Sequence, residues 1–180
     1  MRRRWFWGAA AVSGSLATLA ATATVACALP SGAPGCTQLA ALKGVFPKAS
    51  AIGFTARQPV SRASLRAPVF PGTCGKWFTS YRRAPAGVDV SLTLYKTHKQ
   101  ALAALAEPLY GPVERLSNGA LVRKNRSTTS VNGVMKQYAG VVSVYRNVFI
   151  SSVSIAHNAI PLSAQIRLHR HIHAGVLRLG

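Results

Sequence analysis

Three histidines near the C-terminus form the densest group of side chains able to do chemistry, in the run from His169 to His173. On a helix, His169 and His173 share one face a single turn apart, which suits a metal ion. The alternative is a terminal helix with histidines at its edge, because the negative end of a helix dipole favours cations. A role in sensing pH is a further interpretation. His169 and His173 are therefore the candidate metal ligands.

Acid–base catalysis has few groups to use in this chain. Its acidic residues are Asp89, Glu107 and Glu114, whereas paired-carboxylate chemistry needs two carboxyl groups held close together. A Ser/His/Asp triad would need Asp89, which falls inside a predicted strand. The sequence contains neither a nucleophile elbow nor a phosphate-binding loop. We expect a protein that is not an enzyme, with no catalytic residues and no cofactor.

The N-terminus has the pattern of a secretory signal. A positive segment, Arg2–Arg4, precedes an apolar run of small residues that ends near Ala28. The alternative is an uncleaved anchor that associates the protein with a membrane, since the run is about long enough to span a bilayer. We expect residues 1–28 to be a signal peptide or membrane anchor and residues 29–35 a linker. The protein is then exported, and is extracellular or associated with the cell envelope.

The three cysteines of the chain also indicate whether the protein is exported. The segment Thr24–Cys27 resembles the motif for attaching lipid to cysteine, so Cys27 is a candidate lipid-attachment residue. If Cys27 carries no lipid, it is either removed with the signal peptide or retained in the protein. If Cys27 is lipidated or removed, Cys36 and Cys74 remain as an even pair in an exported chain, which favours a disulfide. The alternative is two free, buried thiols.

The chain is strongly basic, with 22 Lys and Arg against 3 Asp and Glu and a formal net charge of +19. This balance favours anionic partners such as cell-wall polymer, lipid headgroups or nucleic acid. Nucleic acid is not favoured, because the aromatic residue best placed to stack on bases, Trp77, is of a type more often buried. Loops carry function readily. The candidate contacts with an anionic surface therefore come from a basic, Pro-containing loop: Arg57, Arg62 and Arg66.

A β-hairpin is the clearest structural signal. A Pro/Gly turn joins the run Cys74–Tyr81 to a strand, Val88–Tyr95, whose apolar residues alternate strictly with polar ones. Further strands are predicted at residues 119–124, 137–145 and 148–155, and helices at residues 38–45, 97–107 and from Pro161 to about Leu177. Residues 125–133 are expected to be a polar turn. The predicted order is α-β-β-α-β-β-β-α.

This order predicts an α+β fold in one domain over residues 36–180. An antiparallel sheet of about five strands would carry helices on one face. Thr37 is expected to cap the first helix, which would end near Gly44 and Pro47. The polar residues of Val88–Tyr95 lie on the opposite face from its apolar ones, and that polar face is expected to be exposed to solvent.

These features together resemble a known group of proteins. Cys36 beside a short helix, Cys74 shortly before Trp77, the strand Val88–Tyr95, and Gly119–Ala120 opening the next strand are shared with it. The group is the small exported bacterial lipoproteins of unknown function, which are related to the extracellular sensor domains of bacterial receptor Ser/Thr kinases. The resemblance covers about residues 36–177.

The resemblance implies a disulfide-pinned α+β fold that binds a ligand or acts as a sensor, without known catalysis. The leading hypothesis is a non-catalytic, extracytoplasmic binding or sensor-like domain of the cell envelope. Its partner would be an anionic envelope component or an unidentified small ligand. The alternative is a cationic binder of anionic polymer, because the net charge is so high.

Overall fold

The structure is a computed structural model. It describes residues 32–63, 71–106 and 110–180. Within these ranges the backbone forms eight strands, two α-helices and three short 3₁₀ helices. The strands are β1 (Ala56–Arg57), β2 (Ser61–Arg62), β3 (Thr73–Arg83), β4 (Ala86–Tyr95), β5 (Glu114–Arg115), β6 (Leu121–Val131), β7 (Val134–Tyr145) and β8 (Val148–Ala156). The α-helices are α1 (His98–Leu105) and α2 (Leu162–Leu177), and the 3₁₀ helices are Cys36–Leu39, Ala41–Val45 and Ser50–Ile52.

The described strands form one antiparallel sheet in the order β1-β3-β4-β8-β7-β6-β5, with β2 also paired to β3. The predicted fold class is therefore wrong in strand count and element order. The sheet has eight strands, not about five, and α1 is preceded by four strands and followed by four. The five longer strands lie where strands were predicted. The other three are two residues long, too short for side-chain alternation to reveal them.

The predicted first helix is also wrong. Residues 38–45 fall in two successive 3₁₀ helices, and Gly35, not Thr37, occupies the first cap position. The Gly35 N–H donates to Gln38 Oε1 at 2.9 Å. A segment this short, with Gly44 inside it and Pro47 beyond it, cannot form the several turns that stabilise an α-helix, so tertiary contacts decide its form.

Helices cover both faces of the sheet, not one as predicted. On β7, Val142 and Val144 belong to an apolar cluster with α1 and Tyr95, whereas Ser143 between them bonds to side chains of α2. Thr93 and Tyr95 are consequently buried, on the face of β4 that was expected to be wet. On the α2 side, the core contains the apolar residues of β4, as predicted: Val88, Val90, Leu92 and Leu94.

Local signals set the ends of both helices. Thr97 caps α1, because its Oγ1 accepts the backbone N–H of Gln100 at 3.2 Å while Gln100 Oε1 accepts the Thr97 N–H at 3.1 Å. At the other end of α1, Arg123 donates to the carbonyl of Leu105 at 2.7 Å. Pro161 precedes α2, where its fixed φ suits the start of a helix.

Two-residue turns join the last three strands into a meander. Arg146-Asn147 connects β7 to β8, in the two-residue gap between the predicted strands 137–145 and 148–155, and Asn132-Gly133 connects β6 to β7. Positive φ angles at Asn132, Gly133 and Arg146 fit the turns that hairpins favour. Most of the segment expected to be a polar turn, residues 125–133, instead continues β6. Its Ser/Thr run is mostly exposed, so no buried face marked it as a strand.

The two ends of the described chain are tied together near the β7–β8 turn. Asn147 Nδ2 donates to the carbonyl of Pro34 at 2.8 Å, and Gln38 Nε2 donates to the carbonyl of Leu179 at 2.7 Å. The last residues of the predicted linker are therefore part of the folded body. Within the part of the chain that the structure describes, no helix combines the length and apolar character needed to cross a membrane.

Candidate ligand-binding site

The C-terminal helix turns a polar stripe towards the sheet. Gln165, His169 and His173 recur every four residues along α2 and so share one face. His169 is 0% exposed and His173 is 1% exposed. Opposite them, the register of the sheet places Ser143 of β7 and Ser152 of β8 on the same face. Polar groups this deeply buried are expected to be hydrogen-bonded to one another.

These side chains form one continuous chain of hydrogen bonds, here termed the histidine relay. Its members in order are Asn118, His173, Ser143, His169, Ser152 and Gln165. The successive donor–acceptor distances are 3.1, 2.9, 2.7, 2.9 and 2.7 Å. The relay ends where Gln165 Nε2 donates to the carbonyls of Ala139 and Ile160, at 3.1 and 3.0 Å.

The inner end of the relay sets the position of each proton. Because Gln165 uses its amide N–H groups on the two carbonyls, its Oε1 accepts from Ser152 Oγ–H. Ser152 Oγ then accepts from His169 Nε2–H, and His169 Nδ1 accepts from Ser143 Oγ–H. The Ser143 oxygen in turn accepts from His173 Nε2–H. This order gives every hydroxyl one donor and one acceptor role.

Asn118 completes the order at the outer end. Its Oδ1 accepts the backbone N–H of Ala120 at 3.1 Å, which leaves the amide N–H to donate to His173 Nδ1. Asn118 is exposed, in the turn between β5 and β6. Both imidazoles, His169 and His173, are therefore neutral with the proton on Nε2, and all four ring nitrogens are hydrogen-bonded.

Burial holds both histidines in the neutral form. Desolvation lowers the pKa of His169 well below its usual 6.5, and the neighbouring His173 lowers that pKa further. Desolvation also lowers the pKa of His173 to about 4, with an additional contribution from the Arg170 guanidinium. The relay is thus uncharged at neutral pH, and adding a proton to it costs free energy.

A surface pocket of about 260 Å³ lies over the outer end of the relay. Its lining residues are Ser117, Asn118, Tyr145, Arg170, His173, Ala174 and Leu177. Since His173 is almost fully buried, its ring forms the inner wall of this pocket. The ring of Tyr145 lies beside it, with centroids 5.1 Å apart. The relay therefore ends at a place that a ligand can reach.

The pocket combines hydrocarbon with positive charge. Tyr145, Ala174 and Leu177 provide apolar surface, and the exposed Arg170 provides a guanidinium. A second guanidinium, that of Arg146, lies outside the pocket lining, 5.7 Å from the centroid of the Tyr145 ring, and donates to the carbonyl of Gly32. Sites for small molecules are typically apolar concavities with a few convergent polar groups. This composition suits a ligand with an apolar body and a polar or anionic group.

The histidines predicted as metal ligands do lie on one helix face, but their surroundings differ from those of a metal site. The ring centroids of His169 and His173 are 6.3 Å apart, and their nitrogens are bonded to serine and asparagine side chains. Within the described ranges, no group of three or more His, Cys, Asp or Glu residues gathers to hold a metal ion. The geometry supports a hydrogen-bonded relay.

Cys36 and Cys74 form a disulfide, as predicted. Their Cα atoms are 5.4 Å apart, and the bond joins the first 3₁₀ helix to β3. Beside it, Trp77 Nε1–H donates to the carbonyl of Leu39 at 2.7 Å. The disulfide and the Trp77 bond together hold the first 3₁₀ helix against the β3–β4 hairpin.

The three arginines predicted to contact an anionic surface have different surroundings. Arg57 lies in β1, and its Nη1 donates to two backbone carbonyls at 2.8 and 3.2 Å, so it braces the chain. Arg62 is exposed in β2. Arg66 lies outside the described residues, as does the candidate lipid-attachment residue Cys27. The predicted loop is partly structured, because β1 and β2 both pair with β3.

Sequence reasoning found two members of the relay and missed the others. Ser143 and Ser152 lie inside predicted strands with no local signal that distinguishes them, because nothing in the neighbouring sequence shows which face of the sheet α2 covers. A signal was available in the four-residue spacing from Gln165 through His169 to His173. These three polar residues lie on the helix face that also carries apolar core residues. Polar groups buried in this way need hydrogen-bond partners, so polar side chains are expected on the facing sheet.

No protein-family model matches the chain, and no curated protein matches it. A likeness to a solved structure exists at 13% sequence identity and a TM-score of 0.47, over 81% of this chain and 97% of the other. A likeness of this degree does not transfer a function. The lipoprotein part of the expected resemblance stays a prediction. The similar structure is the extracellular domain of PknH, a Ser/Thr kinase from Mycobacterium tuberculosis.

Proposed function

We propose that this protein is a non-catalytic, extracytoplasmic domain that binds a small ligand in the pocket over the histidine relay. One observation carries the proposal: the inner wall of the pocket is the outer end of a buried and fully satisfied hydrogen-bond chain. Groups held in this way are oriented before a ligand arrives. Preorganisation favours binding because less conformational freedom is lost on association.

The position of the acidic groups supports binding over catalysis. Among the described residues, the side-chain carboxylates are those of Asp89 and Glu114. Asp89 Oδ1 accepts from Ser80 Oγ at 2.6 Å, and Glu114 pairs with Lys124 at 2.6 Å. Neither carboxylate lines the pocket. A general base in the pocket would have to be His173, which is a weak base at neutral pH because burial and Arg170 lower its pKa to about 4.

Disulfide chemistry supports an exported location. Disulfides persist in oxidising compartments and are rare in the cytosol. The bond between Cys36 and Cys74 therefore fits export, as does the signal-like pattern of residues 1–28. Lipid attachment at Cys27 or retention of the N-terminal run would hold the domain at the cell envelope.

Binding of two matched probes, benzoate and benzamide, tests the proposal. Each carries a phenyl ring that suits the apolar walls, with an anionic or a neutral group attached. We expect at least one to shift the backbone amide NMR signals of Asn118, Ala174 and Leu177. Ala174→Phe fills the pocket and should abolish the shifts, whereas His171→Phe makes a similar change at an exposed helix position outside the pocket. Absence of binding by both probes, or binding that Ala174→Phe does not affect, contradicts the proposal.

The high positive charge supports a second candidate, a cationic binder of anionic polymer or lipid headgroups. Exposed cations such as Lys43, Lys48, Arg62 and Arg83 contrast with the two carboxylates of the described residues. Anionic phosphatidylglycerol vesicles provide the probe. Binding should weaken by orders of magnitude between about 50 and 200 mM salt if many cations contact the surface. Binding without this salt dependence contradicts the candidate.

A further inference from the structure

We propose that the ligand of this pocket is a small organic anion with an apolar body, and that its binding is coupled to the uptake of one proton by His173. The inference rests on the proposed function and adds the ligand class and the proton. It combines three features of the pocket: the Arg170 guanidinium, the exposed amide of Asn118, and the Nδ1 atom of His173 behind that amide.

Asn118 is the group that an anion would recruit. Its side chain is exposed at the pocket, and its amide N–H is used on the neutral Nδ1 of His173 at 3.1 Å. A carboxylate is a stronger acceptor than a neutral imidazole, because hydrogen bonds to ionised groups are shorter and about twice as strong. An anion held by Arg170 therefore draws the Asn118 amide towards itself.

The loss of that donor changes His173. Its Nδ1 becomes a buried acceptor without a partner, which is unfavourable. A proton taken from solvent onto Nδ1 removes this penalty, since the new N–H donates to the bound anion and the imidazolium pairs with its charge. The Nε2–H of His173 continues to donate to Ser143. The rest of the relay therefore keeps its proton order.

His169 cannot play this part. It is 0% exposed, and its Nδ1 accepts from Ser143 in the interior, away from the pocket. A proton on that nitrogen would face the Ser143 O–H and force the hydroxyl to turn. The coupling is therefore specific to His173, the member of the pair that lines the pocket.

The charges around His173 also favour its uptake of a proton when an anion binds. The titratable and charged side chains that face it are His169 and Arg170 from α2, and Tyr145 from β7 with Arg146 beyond its ring. The turn before β6 contributes the uncharged Ser117 and Asn118. Burial first, and then Arg170, keep the pKa of His173 near 4 in the free protein. A bound anion opposes the repulsion by Arg170 and attracts the imidazolium, so it raises this pKa.

The end of α2 does not oppose an anion strongly. Helix C-termini carry partial negative charge on their last carbonyls. Here the carbonyls of Gly175 and Val176 accept the backbone N–H groups of Arg178 and Leu179, at 3.2 Å each. The positive charge of Arg170 therefore dominates the electrostatics of the pocket.

Calorimetric titration of the full chain with benzoate, in buffers of different ionisation enthalpy, measures the proton directly. Benzoate stays ionised above about pH 5, since carboxyl groups ordinarily titrate near 4. We expect uptake approaching one proton per ligand, and an affinity that rises by up to about tenfold per pH unit as the pH falls towards 5. Benzamide should bind more weakly, with no proton uptake and no such pH dependence.

Variants separate the parts of the mechanism. Arg170→Gln should weaken benzoate binding, whereas Arg167→Gln, an exposed arginine on α2 outside the pocket, should not. His173→Gln should abolish proton uptake. Because His173 is buried, Asn118→Ala on the exposed turn provides a second route. It leaves Nδ1 without its donor before the ligand arrives and removes the amide that the anion recruits, so benzoate should bind more weakly and with less proton uptake.

The outcomes distinguish failure of the inference from failure of the proposed function on which it rests. Tighter binding of benzoate with proton uptake that Asn118→Ala reduces supports the inference. Equal binding of benzoate and benzamide, or benzoate binding without proton uptake, overturns the inference and leaves a small-ligand domain standing. Proton uptake that is unchanged in both Asn118→Ala and His173→Gln also overturns it. Binding of neither probe overturns the proposed function together with the inference.

Discussion

Removing one oxygen atom from the middle of the histidine relay, with Ser143→Ala, should destabilise the folded protein strongly. Ser143 Oγ accepts from His173 Nε2–H at 2.9 Å and donates to His169 Nδ1 at 2.7 Å. Alanine leaves one buried donor and one buried acceptor without partners. Each costs about 1–3 kcal/mol, so the free energy of unfolding should fall by about 2–6 kcal/mol. That is a large share of the roughly 5–15 kcal/mol of a typical domain.

Water cannot readily replace the lost hydroxyl. A water molecule needs a space of at least about 10–15 Å³ for its centre and several polar partners. Ser143 is 0% exposed, and the change removes a single oxygen while leaving the Cβ in place. The vacated space is therefore too small for water, and the two imidazoles must shift or stay unsatisfied.

Urea unfolding at neutral pH under non-reducing conditions, which preserve the Cys36–Cys74 bond, measures the loss. Ser151→Ala is the matched control, because Ser151 lies on β8 next to Ser152 and points to the opposite face. Its free energy of unfolding should stay within about 0.5 kcal/mol of the parent. If Ser143→Ala loses no more than this control, the imidazoles do not depend on the hydroxyl and the proton order of the relay is wrong.

Acidification should also destabilise the protein. Folding lowers the pKa of His173 from 6.5 to about 4. The free energy of unfolding that the neutral side chain contributes above pH 6.5 is therefore lost as the pH falls towards 4. About 2 kcal/mol of it should be lost by about pH 5. Urea unfolding across this range measures the loss, and a flat profile would rule out a buried neutral His173. Gly175→Ala should lower the free energy of unfolding by about 1–3 kcal/mol by overpacking, because the new Cβ would lie 2.7 Å from Val45 Cβ; a gain in thermal stability would contradict that contact. Cleaving the Cys36–Cys74 bond, which spans a separation of 38 residues, should cost about 4 kcal/mol in the chain-entropy model, and titration of two free thiols in unreduced, unfolded protein would refute the disulfide.

The sequence by itself determined the elements whose signals are local. The alternation of apolar and polar residues from Val88 to Leu94 marks β4, because successive side chains of a strand point to opposite faces. The Thr97–Gln100 capping box marks the start of α1, and the Arg146-Asn147 pair fits a two-residue hairpin. Cysteine count and the signal-like N-terminus were sufficient to predict the disulfide. Each of these signals acts over a few neighbouring residues or over composition alone.

The tertiary structure decided which faces are covered and which distant side chains meet. Strands of two residues form only because β3 and β6 offer edges to them, so β1, β2 and β5 left no pattern in the sequence. The relay joins residues as far apart as Asn118 and His173, and its continuity depends on α2 crossing the sheet at two serines. Histidine spacing alone suits a metal ion, a pH sensor or a core position equally well. The hydrogen-bond partners distinguish these roles, and partners separated by many residues are set by packing rather than by local sequence.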